Sequence, residues 1–130
     1  MPADTSPSAP TVLIVEDDPG LREMMAQLLT LEGLTPSTAV NGRDALDYLR
    51  RSQKPRVILL DLMMPVMDGW AFRREQWTDT ALADIPVVVL SAFDQARTDD
   101  LRASAVLKKP LDFDQLLRLV RVYCYPPNER

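Results

Sequence analysis

The segment Val57-Ile58-Leu59-Leu60-Asp61 sets four apolar residues directly before a single carboxylate. A run that is apolar at every position has no solvent face. It suits a strand covered on both sides inside a parallel sheet, and not a half-exposed strand of alternating polarity. Working outward, Val12-Leu13-Ile14-Val15 and Val87-Val88-Val89-Leu90 repeat the pattern, and Ala105-Val106-Leu107 repeats it in shorter form. A weaker strand candidate covers residues 34–40, after Gly33.

Helical spacing fills the intervals. Residues 19–31 carry Leu21, Met24, Met25, Leu28 and Leu29 as one stripe. Asp18 before Pro19 reads as an N-cap followed by proline at the first helical position, and Gly33 reads as the stop. Residues 42–51 carry Ala45, Leu46 and Leu49, and residues 69–78 carry Trp70, Phe72 and Trp77. In that third helix Arg73-Arg74 is expected on a solvated face, with one tryptophan packed and the other partly exposed. Residues 112–123 carry Phe113, Leu116, Leu117 and Val120, and Asp112 with Gln115 resembles a capping box. Only about two turns of helix fit into residues 94–102, so a fourth helix there is expected to be short or irregular. Strand and helix therefore alternate along the chain. The expected fold is α/β: a doubly wound five-stranded parallel sheet flanked by five helices.

The chain has 130 residues, a length that suits one domain with its own core. A net charge of -4 argues against direct nucleic-acid binding, which usually shows a basic surface. Cys124 is the only cysteine, which excludes an intramolecular disulfide and fits a reducing cytoplasm. It lies in an apolar stretch and is expected to be a packing thiol. The chain contains no histidine, which removes histidine catalysis and histidine metal ligands. No apolar run approaches membrane-spanning length. Residues 1–10, rich in Pro, Ser and Ala, read as a disordered arm. Residues 11–124 form the expected domain, and residues 125–130 a C-terminal tail.

The chemistry lies at the strand ends. The first strand is followed by Glu16-Asp17, the third by Asp61, the fourth by Ser91 and the fifth by Lys108-Lys109-Pro110. In open α/β sheets the ligand site lies beyond the carboxyl ends of the strands. Glu16, Asp17 and Asp61 gathered there either raise a pKa or recruit a cation. Mg2+ suits such a set, since it takes few carboxylates and leaves positions for phosphate oxygens and water. Mn2+ or Ca2+ could substitute. Asp61, alone at the end of a central strand, is the best nucleophile. Asp17 is the better direct metal ligand, and Glu16 acts directly or through water. An acyl phosphate on Asp61 would need its charge neutralised by Mg2+ and Lys109, with a hydrogen bond from Ser91. Asp18 fits a helix cap better than a ligand.

The segment Asp61-Leu62-Met63-Met64-Pro65-Val66-Met67-Asp68-Gly69 resembles the phosphorylation-site segment of two-component receiver domains. Val12-Leu13-Ile14-Val15-Glu16-Asp17-Asp18 resembles the acidic opening of the same family, Ser91-Ala92 its hydroxyl position and Lys109-Pro110 its lysine–proline pair. The four motifs occur in order, over about residues 11–123. The resemblance implies a flavodoxin-like sheet of order 2-1-3-4-5, like that of chemotaxis regulators. It implies Asp61 as phosphoacceptor, Mg2+ on Glu16, Asp17, Asp61 and the backbone carbonyl of Met63, and phosphate contacts from Ser91 and Lys109. Lys109 is chosen over Lys108 because the family lysine directly precedes the proline. A cis bond before Pro110 is also implied. Val106 stands where the family usually carries an aromatic residue, and a valine cannot perform the associated ring swing. The glycine that often precedes the fifth strand is missing.

The expected function is thus Mg2+-dependent phosphorylation of Asp61 within a His-Asp phosphorelay, switching protein–protein interactions in the cytoplasm. A histidine kinase or histidine phosphotransfer protein would be the donor, and an as yet unidentified downstream protein the target. The chain is expected to be a monomer or weak homodimer that catalyses only its own phosphorylation and dephosphorylation. It is either a stand-alone regulator or a fragment of a multidomain one. Apolar Met63 and Phe93 predict slow autodephosphorylation, having no strong donor or acceptor to orient water. A non-phosphorylated interaction scaffold is the alternative. An aspartate-based phosphatase is disfavoured, because Met63 occupies the place of the second aspartate such enzymes need.

Overall fold

The computed structural model describes residues 9–92 and 101–127. Five strands form one sheet: β1 (Thr11–Val15), β2 (Thr35–Ala39), β3 (Val57–Asp61), β4 (Val87–Ser91) and β5 (Ala105–Lys108). Their order is β2-β1-β3-β4-β5, and each neighbouring pair is parallel. Among the described residues the helices are four, not the expected five: α1 (Pro19–Leu31), α2 (Gly42–Arg51), α3 (Gly69–Thr78) and α4 (Phe113–Cys124). The fourth helix expected over 94–102 falls outside the described residues except at Leu101 and Arg102, as do residues 1–8 of the N-terminal arm.

Alternation along the strands divides the interior into two cores. Leu13, Val15, Ile58, Leu60, Val87 and Val89 pack against Ala45, Leu46 and Leu49 of α2 and Phe72 of α3. The alternate residues, Val12, Ile14, Val57, Leu59, Val88 and Leu90, pack against Met25 and Leu29 of α1 and Leu116, Val120 and Cys124 of α4. Burial of each such aliphatic side chain stabilises by about 1.5–3 kcal/mol relative to exposure. β3 and β4 are buried at every position, as their unbroken apolar runs require. β5 differs: of its four residues only Leu107 is buried.

Helix ends follow their capping residues. Asp18 accepts from the Gly20 amide, Asn41 from Asp44, Asp68 from Ala71 and Asp112 from Gln115. Gly33, at φ 82, supplies the left-handed turn after α1. The α1 stripe is narrower than the apolar spacing suggests. Met25 and Leu29 are buried, but Met24 is 48% exposed. Cys124 is buried as expected, and burial pushes its thiol up to about 11. The bond before Pro110 is cis.

The solvated-face expectation for Arg73 is overturned. Arg74 is exposed, but Arg73 is only 5% exposed. The buried face of α3 is Gly69, Phe72, Arg73 and Gln76, at i, i+3, i+4 and i+7. The helix thus presents two polar side chains where apolar ones normally sit. They are tolerated because their hydrogen bonds are made. Arg73 Nη1 donates to Gln76 Oε1 at 2.7 Å, and Gln76 Nε2 donates to the carbonyls of Leu82 and Ile85 at 3.0 and 3.1 Å. Both tryptophans are half-buried. Trp70 packs against the first core, and the Trp77 ring lies within cation–π distance of the guanidinium groups of both Arg73 and Arg102.

Candidate functional site

Strand register brings the remote side chains to one edge. Val15 pairs with Leu60, so Glu16 follows β1 beside Asp61. Asp61 pairs with Leu90, which places Ser91 one position further along β4. Ser91 pairs with Lys108, and the Lys109 amide donates to the Ser91 carbonyl at 2.9 Å. The four strands therefore end in a shared cleft of about 320 Å3, lined by Glu16, Asp17, Asp61, Met63, Ser91 and Lys109 among others. Glu16, Asp61 and Ser91 are buried, whereas Asp17 is exposed at its mouth.

Charge inside the cleft is unevenly matched. Lys109, and not Lys108, reaches in: its Nζ lies 3.0 Å from Asp61 Oδ1 and 3.6 Å from Glu16 Oε1. The second distance is an ion pair beyond hydrogen-bond length. Burial opposes the Lys109 ammonium, but the hydrogen bond and charge of Asp61, with Glu16 behind it, outweigh burial and raise its pKa. Glu16 is raised from 4.5 to about 7. Burial is the main cause, and Asp61 and Asp17 add to it. The Asp18 amide and Lys109 pull the other way without compensating. One ammonium is thus set against three carboxylates whose oxygens lie within 4.8 Å of one another.

That imbalance is the test of whether a metal fits. Glu16 Oε2 accepts from the Asp18 amide at 3.1 Å, but Oε1 is buried with no hydrogen-bond partner. A buried, unbonded carboxylate oxygen facing two further carboxylates is what a hard divalent cation satisfies. Asp18 is occupied elsewhere, its Oδ1 accepting from Gly20 at 3.0 Å as the cap of α1.

Two supports were not legible as site features. Arg22 of α1 reaches back and donates to the carbonyls of Glu16 (2.9 Å) and Asp17 (3.3 Å), fixing the acidic turn. Nothing in the spacing of Arg22 marks it. Gly42 is the second. Its amide donates to the Met67 carbonyl at 2.8 Å, and a Cβ there would meet Met67 Cγ at 2.7 Å. The loop after β3 thereby rests on the start of α2. Within that loop Val66 takes φ 71, a conformation that costs a β-branched residue energy and that the loop's other contacts must hold. Phe93, expected to flank the hydrolytic water, lies outside the described residues.

Comparison with known proteins agrees with this arrangement. The model of the response regulator receiver domain family matches residues 12–121. Response regulator Rre1 of Synechocystis is 34% identical over 116 residues, covering 85% of this chain and 50% of that protein. A 14.6 kDa protein of Leptolyngbya boryana is 33% identical over 125 residues, covering 90% of this chain and 93% of that one. The chain thus spans nearly the whole of one relative and about half the length of several regulators. Among solved structures, the signal receiver domain of a histidine kinase from Syntrophus aciditrophicus superposes with a TM-score of 0.85 at 28% identity, over 94% of this chain and 95% of that one. On sequence, fold and acidic cleft together, the chain belongs to the response regulator receiver domain family of two-component signalling.

Proposed function

We propose that Asp61 accepts a phosphoryl group from a phosphohistidine donor, with Mg2+ held by Glu16, Asp17, Asp61 and the backbone carbonyl of Met63. The observation that carries this reading is the unbalanced cleft. Three carboxylates converge, one buried oxygen of Glu16 has no hydrogen bond, and a lysine is hydrogen-bonded to Asp61. When bound, Mg2+ supplies positive charge for the phosphoryl oxygens and Mn2+ or Ca2+ could take its place.

The chain's own residues do the rest. A carboxylate oxygen of Asp61 attacks phosphorus, the new O–P bond forms as the donor's P–N bond breaks, and the bonding pair leaves with the imidazole. Lys109 neutralises charge on the incoming group at a point already 3.0 Å from the nucleophile. Ser91, buried beside it, offers a hydroxyl to a phosphoryl oxygen. Transfer of this kind needs positioning and electrostatics more than covalent chemistry from the protein. The chain acts on itself alone, because Met63 offers no acid–base group for turning over outside substrates. The donor is a histidine kinase or histidine phosphotransfer protein, and the product switches which cytoplasmic protein the chain binds. No helix of the described residues is long and apolar enough to cross a membrane.

Intact-mass measurement after incubation with a small phosphodonor tests the reading. Wild type should gain one phosphate only when Mg2+ is present, and Asp61→Asn should gain none. An unmodified wild type would favour a phosphorylation-independent interaction scaffold.

A further inference from the structure

The buried arginine of α3 has no part in the chemistry just described, yet it grips the segment that leads into β5. Arg73 Nε donates to the Leu101 carbonyl at 2.9 Å, and Nη2 donates to the Arg102 carbonyl at 2.8 Å. One planar guanidinium therefore holds two successive carbonyls, a geometry its rigid fork of donors suits. The grip is braced on both sides. Nη1 is tied to Gln76, and the Trp77 ring lies 4.9 Å from the Arg73 guanidinium and 5.2 Å from that of Arg102. Arg102 itself is held at φ 50.

The consequence follows from how lightly β5 itself is buried. It is an edge strand of four residues with one buried side chain, Leu107. Among the described residues its other restraints are Leu101, buried in the first core, the partly buried Ala103 and Ala105, the ladder to β4, and the amides of Ser104 and Lys109, which donate to the carbonyls of Val87 and Ser91. Lys109 leaves the far end of this strand to reach Asp61. The carboxylates arrive instead on β1 and β3, which are anchored in the two cores.

We infer that Arg73 is a positioning residue for phosphoryl transfer: by clamping the carbonyls of Leu101 and Arg102 it fixes the start of β5 and so the placement of Lys109 at Asp61. The inference rests on the phosphoryl-acceptor reading and extends it to a side chain that does not line the cleft.

The test compares the full-length wild type with Arg73→Leu, which keeps apolar bulk and loses the donors, and Arg73→Lys, which keeps the charge and loses the fork. Phosphate incorporation from acetyl phosphate is followed by intact mass at saturating Mg2+, and Mg2+ affinity is measured separately. Arg73→Leu should slow phosphorylation about tenfold while Mg2+ affinity stays within about twofold, because the metal-binding carboxylates are not on β5. Arg73→Lys should fall between. In a Lys109→Ala background Arg73→Leu should add less than about twofold, the signature of one residue acting through the other. A folded Arg73→Leu that reacts like wild type overturns the inference. So does a parallel loss of Mg2+ affinity, or an undiminished effect in the Lys109→Ala background. If circular dichroism shows Arg73→Leu unfolded, Arg73→Lys decides by the same criteria. A wild type that takes no phosphate overturns the phosphoryl-acceptor reading, and this inference with it. A phosphorylated wild type with an indifferent Arg73 overturns the inference alone.

Discussion

The two sides of the cleft are built differently. On the carboxylate side, Glu16 and Asp61 end strands whose apolar residues are enclosed by helices on both faces. On the ammonium side, Lys109 follows a strand with one neighbour in the sheet and one buried residue. Both sides also use an arginine that holds two consecutive carbonyls: Arg22 at Glu16 and Asp17, and Arg73 at Leu101 and Arg102. The acidic half needs a rigid frame because it concentrates like charge. The basic half sits at the margin of the sheet and depends on polar tethers.

The sharpest break between the two sides is in stability. Leu59→Ala in β3, where the side chain is wholly buried, should cost about 2–5 kcal/mol. Val106→Ala in β5, 39% exposed, should change stability by about 0.5 kcal/mol or less. Urea denaturation of the two variants measures the contrast, and equal losses would mean that β5 is as much a part of the core as β3.

A smaller effect is expected at Gly69. A Cβ there would meet the Asp61 carbonyl at 2.8 Å and Leu62 Cα at 2.9 Å, backbone atoms that cannot swing aside. Gly69→Ala should therefore displace the turn that follows the nucleophile, costing about 1–3 kcal/mol and slowing phosphorylation. Thermal unfolding alongside intact-mass kinetics reads both.

A further effect is on proton linkage, and near neutral pH it belongs to the carboxylate side. Glu16 holds its proton more tightly in the folded state, at about 7 instead of 4.5. Without divalent cation its contribution favours folding at acid pH and is lost as pH rises from the lower value through the higher. Mg2+ competes with that proton, so its affinity should rise as pH increases toward about 7 and then level off. Isothermal titration in buffers of different ionisation enthalpy should detect the released proton. Glu16→Gln should abolish the release while leaving Lys109 free to pair with Asp61.

The frame was legible because its signal is redundant. Unbroken apolar runs in β1, β3 and β4 leave no solvent face to choose, and each ends in the polar residue that lines the cleft. At Arg73 position outweighs residue type. Gly69 and Phe72 define the inward face of α3, and the helical interval places Arg73 and Gln76 on it. What spacing alone does not reveal is the set of carbonyls that makes their burial tolerable, since Leu82 and Ile85 come from the irregular connection after α3 and Leu101 and Arg102 from the remote segment before β5. Met24 is the converse case: an apolar residue counted into the stripe of α1 that the fold leaves at the surface.

The account rests most heavily on which carboxylate reacts. Borohydride reduction converts an aspartyl phosphate to homoserine, and peptide mass mapping then locates it. After treatment with a phosphodonor and Mg2+, homoserine should appear at position 61 and at no other acidic residue. Homoserine at position 17 or 2-amino-5-hydroxypentanoic acid at position 16 with Asp61 intact, or no reduced residue despite a folded protein, would contradict the account.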